Sequence, residues 1–177
     1  MSHPQQPGRR RALALLGAAP LFMAGCGFKL RGARQMPFES IHLGMSPYLE
    51  LTAAIRRQLR ANGDTVITDK AEDAQVRLDV LADRKEKVIL ALNTQGKVRE
   101  YQLRHRFIFR LVDVKSGQEA LPTSEIFLYR DLAFDDTQLL AKEQEEILLY
   151  RDMQNDLVQQ LLRRLAAARM PAAAPKP

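Results

Sequence analysis

Between residues 98 and 114 the chain alternates its side chains one by one. Tyr101, Leu103, His105, Phe107, Phe109 and Leu111 fall on one parity, and Glu100, Gln102, Arg104, Arg106 and Arg110 on the other. Successive side chains of a strand point to opposite faces. This segment therefore buries one face and wets the other, as strands of antiparallel sheets do. It cannot stand alone: it needs neighbours in a sheet and something apolar laid over its buried face.

Two helical patterns supply the cover. Ser46-Pro47 predicts a helix start, with Ser as the cap and Pro at the first helical position. Tyr48, Leu51, Ile55 and Leu59 then recur at spacings of three and four, and Asn62-Gly63 predicts the stop. Arg56, Arg57 and Arg60 fall off that stripe. A longer helix is predicted over residues 137–168, with Ile147, Tyr150, Met153, Leu157, Leu161 and Leu165 as its apolar stripe. Arg163, Arg164 and Arg169 sit in its last turns, where cations favour the helix dipole. Shorter strand patterns cover residues 38–45, 66–67, 76–81, 88–92 and 126–132, with turns at Asn93-Thr94-Gln95-Gly96 and Ser116-Gly117. The implied architecture is a two-layer α/β sandwich. Both helices lie on the apolar side of the sheet and the arginines on the other.

The chain length of 177 residues suits one such domain with a leader and a tail. Trp is absent and aromatics are 6%, so the core must be mainly aliphatic. The leader is legible in three parts: Arg9-Arg10-Arg11, an apolar run over residues 12–22, and Met23-Ala24-Gly25 just before Cys26. The run is too short for a permanent span, which needs about 20 residues. The formal charge is +6, but residues 1–25 hold three of the 27 bases and none of the 21 acids. The remainder is mildly basic and names no partner by itself. The only cysteine is Cys26, whereas exported proteins usually hold cysteines in pairs.

Met23-Ala24-Gly25-Cys26 resembles the bacterial lipobox, with Met where Leu is usual. That resemblance implies a diacylglyceryl group on the Cys26 thiol, removal of the leader, and acylation of the new amino end. At about 0.8 kcal/mol per buried methylene, several chains together hold a protein firmly to a membrane. Gly27, not Asp, follows the cysteine. The lipoprotein sorting rule then implies an outer-membrane address with the body facing the periplasm. Arg10-Arg11 leaves a twin-arginine export route open beside the general one. The domain reading is a lipoprotein signal peptide over 1–25, a lipidated tether over 26–36, an α/β domain over 37–169, and a disordered Pro/Ala tail over 170–177.

No catalytic set is visible. His3 leaves with the leader, and His42 and His105 are far apart, which speaks against a metal site. His105 lies on the apolar parity and reads as a hydrogen-bonded core residue. Asp135-Asp136 and Glu145-Glu146 are adjacent acids, which point apart, and read as a helix start and a solvated face. Arg106-Phe107-Ile108-Phe109 faintly echoes an RNA-binding strand, but its aromatics take the buried parity and export removes it from RNA. The reading is a non-enzyme with no cofactor and no nucleic-acid partner.

Cys26-Gly27-Phe28-Lys29-Leu30-Arg31-Gly32, Gln58-Leu59-Arg60-Ala61-Asn62-Gly63, Gly96-Lys97-Val98-Arg99-Glu100-Tyr101, Tyr129-Arg130, Ala141-Lys142-Glu143 and Gln159-Gln160-Leu161-Leu162-Arg163-Arg164-Leu165 follow one another in an order that resembles the LPS-assembly lipoprotein LptE family. The resemblance runs from the leader to about residue 169. It implies two helices on one face of a mixed, mainly antiparallel four-stranded sheet. It also implies an outer-membrane lipoprotein that complexes with the β-barrel LptD, supports its assembly and plugs it, while lipopolysaccharide passes to the outer leaflet. A family base implicated in lipopolysaccharide contact matches Lys142. Another precedes the Gly-x-x-x-Glu-Tyr motif, where this chain has Thr94, and Lys97 and Arg99 in the same turn are candidates to supply that charge. Arg99, Arg104, Arg106 and Arg110 are expected to line the wet side of one strand, with Lys97 at its start. Arg forks and Lys point charges suit the phosphates of lipid A. Lys142 reads equally as a ligand contact or as a helical Lys paired with Glu145 or Glu146. The alternative function is a lipid-anchored carrier that binds an amphiphile without a barrel, which requires an apolar cavity between sheet and helices.

Overall fold

The computed structural model describes residues 35–63 and 65–171. The expected signal peptide, the expected lipidation site at Cys26, most of the expected tether and most of the expected tail lie outside the described residues. The chain runs β1 (Ser40–Gly44), α1 (Glu50–Ala61), β2 (Val66–Thr68), β3 (Val76–Leu92), β4 (Val98–Asp113), β5 (Glu119–Ala133) and α2 (Leu139–Ala166). Single 3-10 turns stand at Ala71–Asp73 and Asp136–Gln138.

One sheet has the order β2-β1-β3-β4-β5. β1 is parallel to both its neighbours, and β3, β4 and β5 are antiparallel. The sheet is thus mixed and mainly antiparallel, but it has five strands, not four. The brief pattern at residues 66–67 joins as an edge strand, paired to β1 from Ser40↔Val66 to His42↔Thr68.

Three boundaries differ from the sequence expectation, each for a physical reason. The runs at 76–81 and 88–92 are one strand, because the charged stretch Asp83–Lys87 continues the extended backbone along a sheet edge, where charges are tolerated. β5 begins at Glu119, not near Ile126. Pro122 masks its start, and an edge strand does not need that missing N–H. α1 begins at Glu50, and its cap, Leu49, makes no side-chain bond. The Ser46 carbonyl accepts from the Thr52 hydroxyl at 2.8 Å instead, and Tyr48 is 95% exposed rather than part of the stripe.

Both helices pack on the same apolar cluster. Leu51, Ile55 and Leu59 of α1 and Met153, Leu157, Leu161 and Leu165 of α2 meet Leu78 of β3, Leu103, Phe107, Phe109 and Leu111 of β4, and Ile126 of β5. Burying such a side chain stabilises the fold by about 1.5–3 kcal/mol. β1 approaches β3 closely at Gly44, where a Cβ would lie 2.7 Å from the Leu78 carbonyl oxygen.

The position of β1 decides the shape of the rest. It pairs with β3 only from Val76 to Asp79. A bulge between Val80 and Ala82 follows. Beyond it the sheet has three strands, and β3 becomes an edge. At about 3.3 Å per residue, this arm continues roughly 30 Å past the five-stranded part. α2 splits at the same level: its buried residues run from Met153 to Leu165, and the turns before Met153 overlie the arm without full burial.

Candidate functional site

The β3–β4 turn closes the far end of the arm. The Asn93 side-chain oxygen accepts from the Gln95 and Lys97 backbone N–H groups at 2.9 and 3.0 Å. Gly96 takes the positive φ of 77° that the tight turn needs. The Phe134 N–H donates to the Arg99 carbonyl at 2.8 Å, which brings the end of β5 beside the start of β4. Between them lies an open cleft of about 560 Å³, walled by Lys97, Arg99, Tyr101, Phe134, Asp135 and Asp136 among others.

The cleft has an aromatic wall and a charged rim. The Tyr101 and Phe134 rings meet edge to face, with centroids 5.2 Å apart. The Lys87 ammonium stands 4.4 Å from the Tyr101 centroid and is 2.5 Å from a Glu146 carboxylate oxygen of α2. Lys97 donates to Asp136 at 2.8 Å, and that bond with its charge attraction raises the Lys97 pKa. Asp135 accepts from the Thr137 hydroxyl and backbone N–H, which hold its carboxyl below the usual range, with a smaller contribution from the Lys142 charge. Lys142 thus belongs electrostatically to this end, and its ammonium donates to Glu145 at 2.8 Å.

The other candidates lie on the uncovered face of the sheet. Arg106 grips Glu125 with two nitrogens, at 2.7 and 3.2 Å, and this fork raises its pKa. Arg104 donates to the Gln102 amide oxygen at 2.8 Å. Both line a hollow of about 340 Å³ with Arg84, Glu86, Glu125 and Phe127. Further along, Asp79 accepts from Arg77 at 2.6 Å and from Arg110 at 3.2 Å. The Arg77 bond leads in holding the Asp79 carboxyl below its usual range. Much of the expected cationic strip is therefore already paired with carboxylates.

Arg99 does not line the wet side with Arg104 and Arg106. It has the parity of Tyr101, and it lines the cleft with Lys97. The candidates separate into Lys97, Arg99 and Lys142 at the arm's end, and Arg104 and Arg106 on the sheet face. Sequence reasoning missed Lys87 and the Tyr101–Phe134 pair. Lys87 sat inside a charged run that carried no strand signal, and Phe134 meets Tyr101 only through the pairing of β4 with β5. His105 is the hydrogen-bonded core residue expected: fully buried, with Nε2 2.7 Å from an Asp83 oxygen. Among the described residues there is no cluster of three metal-ligating side chains, and no helix is long and apolar enough to cross a membrane.

This arrangement offers cations beside aromatic and aliphatic surface at one end of the molecule, since Ile89, Leu90 and Leu92 of β3 are also exposed there. That is chemistry for an anionic amphiphile. Comparison with known proteins points the same way. A family model, LptE, described as lipopolysaccharide-assembly, matches residues 38–165. The LPS-assembly lipoprotein LptE of Pectobacterium atrosepticum is 32% identical over 161 residues, covering 89% of this chain and 86% of that one. That of Photorhabdus laumondii is 33% identical over 171 residues, covering 92% and 84%. Among solved structures, lipoprotein B of Nitrosomonas europaea superposes with a TM-score of 0.69 at 37% identity, covering 80% of this chain and 91% of that one. The rare lipoprotein B of Shewanella oneidensis gives 0.62 at 31% identity, covering 72% and 94%.

Proposed function

The chain belongs to the LptE family, and from that premise we propose that it is a non-catalytic outer-membrane lipoprotein, anchored through Cys26, that complexes with the β-barrel LptD for lipopolysaccharide insertion into the outer leaflet. In this reading residues 1–25 are removed, 26–36 form the lipidated tether, and the domain stands in the periplasm-facing part of the barrel, supporting its assembly and plugging it. The observation that carries the lipopolysaccharide role is the cleft at the arm's end, where Lys97 and Arg99 meet the Tyr101 and Phe134 rings. Phosphate oxygens of lipid A would take the cations, and its acyl chains the apolar surface beside them. Lys142 is the third cation of this end. Arg104 and Arg106 are secondary candidates, because they stand on the sheet face apart from the Tyr101–Phe134 wall; Lys97, Lys142 and Arg106 would each have to exchange a carboxylate for the ligand.

The barrel-free carrier reading is less well supported. A carrier needs an apolar cavity between the layers, whereas here that space is occupied by the interlocked side chains of Phe107, Phe109, Leu157 and Leu161, all fully buried. The test is direct. Replacing Lys97, Arg99 and Lys142 together with Glu should lower lipopolysaccharide affinity in titration at least tenfold, with the circular dichroism spectrum unchanged. Unchanged affinity would remove these residues from the role. Affinity purification from native membranes should recover a large barrel protein, and recovery of monomer alone would sink the LptD reading.

A further inference from the structure

We propose that the outward face of the first half of α2 is a docking surface for a protein segment that is apolar and flanked by Lys or Arg. Three large aliphatic side chains stand in solvent there: Leu140, Ile147 and Leu148, each between 59% and 72% exposed. Scattered exposed leucines need no explanation, but a gathered patch marks a contact surface. Ile147 was expected to face the core, and its exposure reveals the geometry. At 100° per residue, Leu140 and Ile147 share the azimuth of Val158. Val158 is buried, in a groove that it lines with Ala54 and Gln58 of α1. The exposed stripe is therefore the continuation of the face that α1 covers further along.

The lengths of the helices explain why it is uncovered. α1 has 12 residues and α2 has 28, or roughly 18 Å against 42 Å at 1.5 Å per residue. Asn155 lies on the wall of the α1–α2 groove and also on that of a shallow hollow with Leu148, Leu149 and Arg151. The two surfaces are thus continuous, and a segment seated on the hollow would prolong the layer that α1 begins.

Charge selects the occupant. Residues 139–152 hold four acids against two bases. An anionic lipid surface is repelled by such a rim, whereas a polypeptide with Lys or Arg beside its apolar residues is attracted. This face is separate from the cleft of Lys97 and Arg99: one end of the molecule carries an amphiphile site and a protein site on different sides. The inference rests on the reading above that the chain works with a protein partner, and adds where that partner grips.

The test uses the full-length lipoprotein in its native membrane. Photoreactive benzoylphenylalanine is placed at Leu140, Leu148 or, on the uncovered sheet face, Tyr129. Leu140 and Leu148 should give an adduct with the barrel partner, and Glu143→Lys with Asp152→Lys should cut its yield at least fivefold. Ile147→Asn with Leu148→Asn should lower co-purified partner at least tenfold without changing the thermal melt, since both side chains are exposed. A lipid adduct alone, or no adduct, from the α2 positions overturns the proposal. If Tyr129 still captures the barrel in that case, the functional reading survives and only this surface is wrong. If no position captures a barrel and none co-purifies, both fall. Yield insensitive to the two charge reversals overturns the basic-flanked partner.

Discussion

The two halves of this domain are held together by different forces. In the half that contains β1 and α1, aliphatic and aromatic side chains from both layers interlock, and Ile41, Ile55, Leu78, Phe109, Leu157 and Leu161 are fully buried. In the arm the buried strip narrows to residues such as Leu103, Phe107 and Leu132, and polar contacts join α2 and the turn before it to the sheet: Lys87 with Glu146, Lys97 with Asp136, and the Tyr150 hydroxyl donating to the Glu86 carbonyl at 3.0 Å. Residues 84–106 carry seven Lys or Arg against two Glu, opposite the acidic stretch of α2. Burial acts over short range, is insensitive to salt and tolerates few substitutions. Exposed ion pairs are worth about 0–1 kcal/mol each and weaken in salt. One half is thus built to be stable, and the other to be opened and to meet ligands, as binding regions generally are.

The largest effect should follow from breaking the first half. Phe109 is fully buried, with its ring centroid 5.6 Å from that of Phe107. Phe109→Ala should cost about 3–5 kcal/mol in a denaturant titration, because the emptied volume cannot be refilled. Leu157→Ala should cost about 2–5 kcal/mol by the same route. A loss below about 1 kcal/mol for both would mean that the interlocked core is not what holds the fold.

The same contrast explains what the sequence showed and what it hid. Where burial dominates, the pattern is written in residue type: the alternation of β4 and the stripe from Met153 to Leu165 could be read directly. So could His105 as a core residue, because a polar group on an apolar parity must find a partner. Where charge and edge position dominate, the pattern fails. Asp83–Lys87 broke the alternation of β3 into two pieces. Pro122 hid the start of β5. Ser46-Pro47 carried a helix-start signal, yet Thr52 took the Ser46 carbonyl and the helix began later. At the site, Lys97 and Lys142 were legible as cations. The opposed faces of Arg99 and Arg104 follow from strand parity, whereas the Lys87–Tyr101 contact depends on a cross-strand register that no local signal encodes.

A smaller effect should separate the halves. Glu146→Ala combined with Tyr150→Phe removes the Lys87 pair and the hydroxyl bond to Glu86. Each is worth about 1 kcal/mol or less at these exposures. Amide exchange in the first turns of α2 should then quicken by roughly tenfold, which is the equivalent of about 1.4 kcal/mol. Exchange around Leu157 and Leu161 should stay unchanged, and added salt should reproduce part of the effect in the unmutated protein. Equal acceleration along the whole helix would show that the domain opens as one unit.

The smallest effects should lie at the two ends of the pH scale, with opposite signs. Asp79 is held below the ordinary carboxyl value, first by its bond from Arg77. The unfolded chain therefore takes up that proton first as pH falls. The stabilisation is complete above the ordinary value, near 4, and is lost as pH drops through the depressed one. Asp79→Asn should flatten this acid limb by less than about 1 kcal/mol. Tyr150 is displaced upward, chiefly by burial and then by the charges of Glu146 and Glu86. Its contribution holds below the ordinary phenol value, near 10, and is lost as pH rises through the raised one. Tyr150→Phe should flatten only this alkaline limb. Because Asp79 belongs to the uncovered sheet face and Tyr150 to the contact between α2 and the arm, exchange measured at each limb should report from a different part of the molecule. An alkaline limb that Tyr150→Phe leaves intact would mean that α2 is not seated on the arm through this side chain.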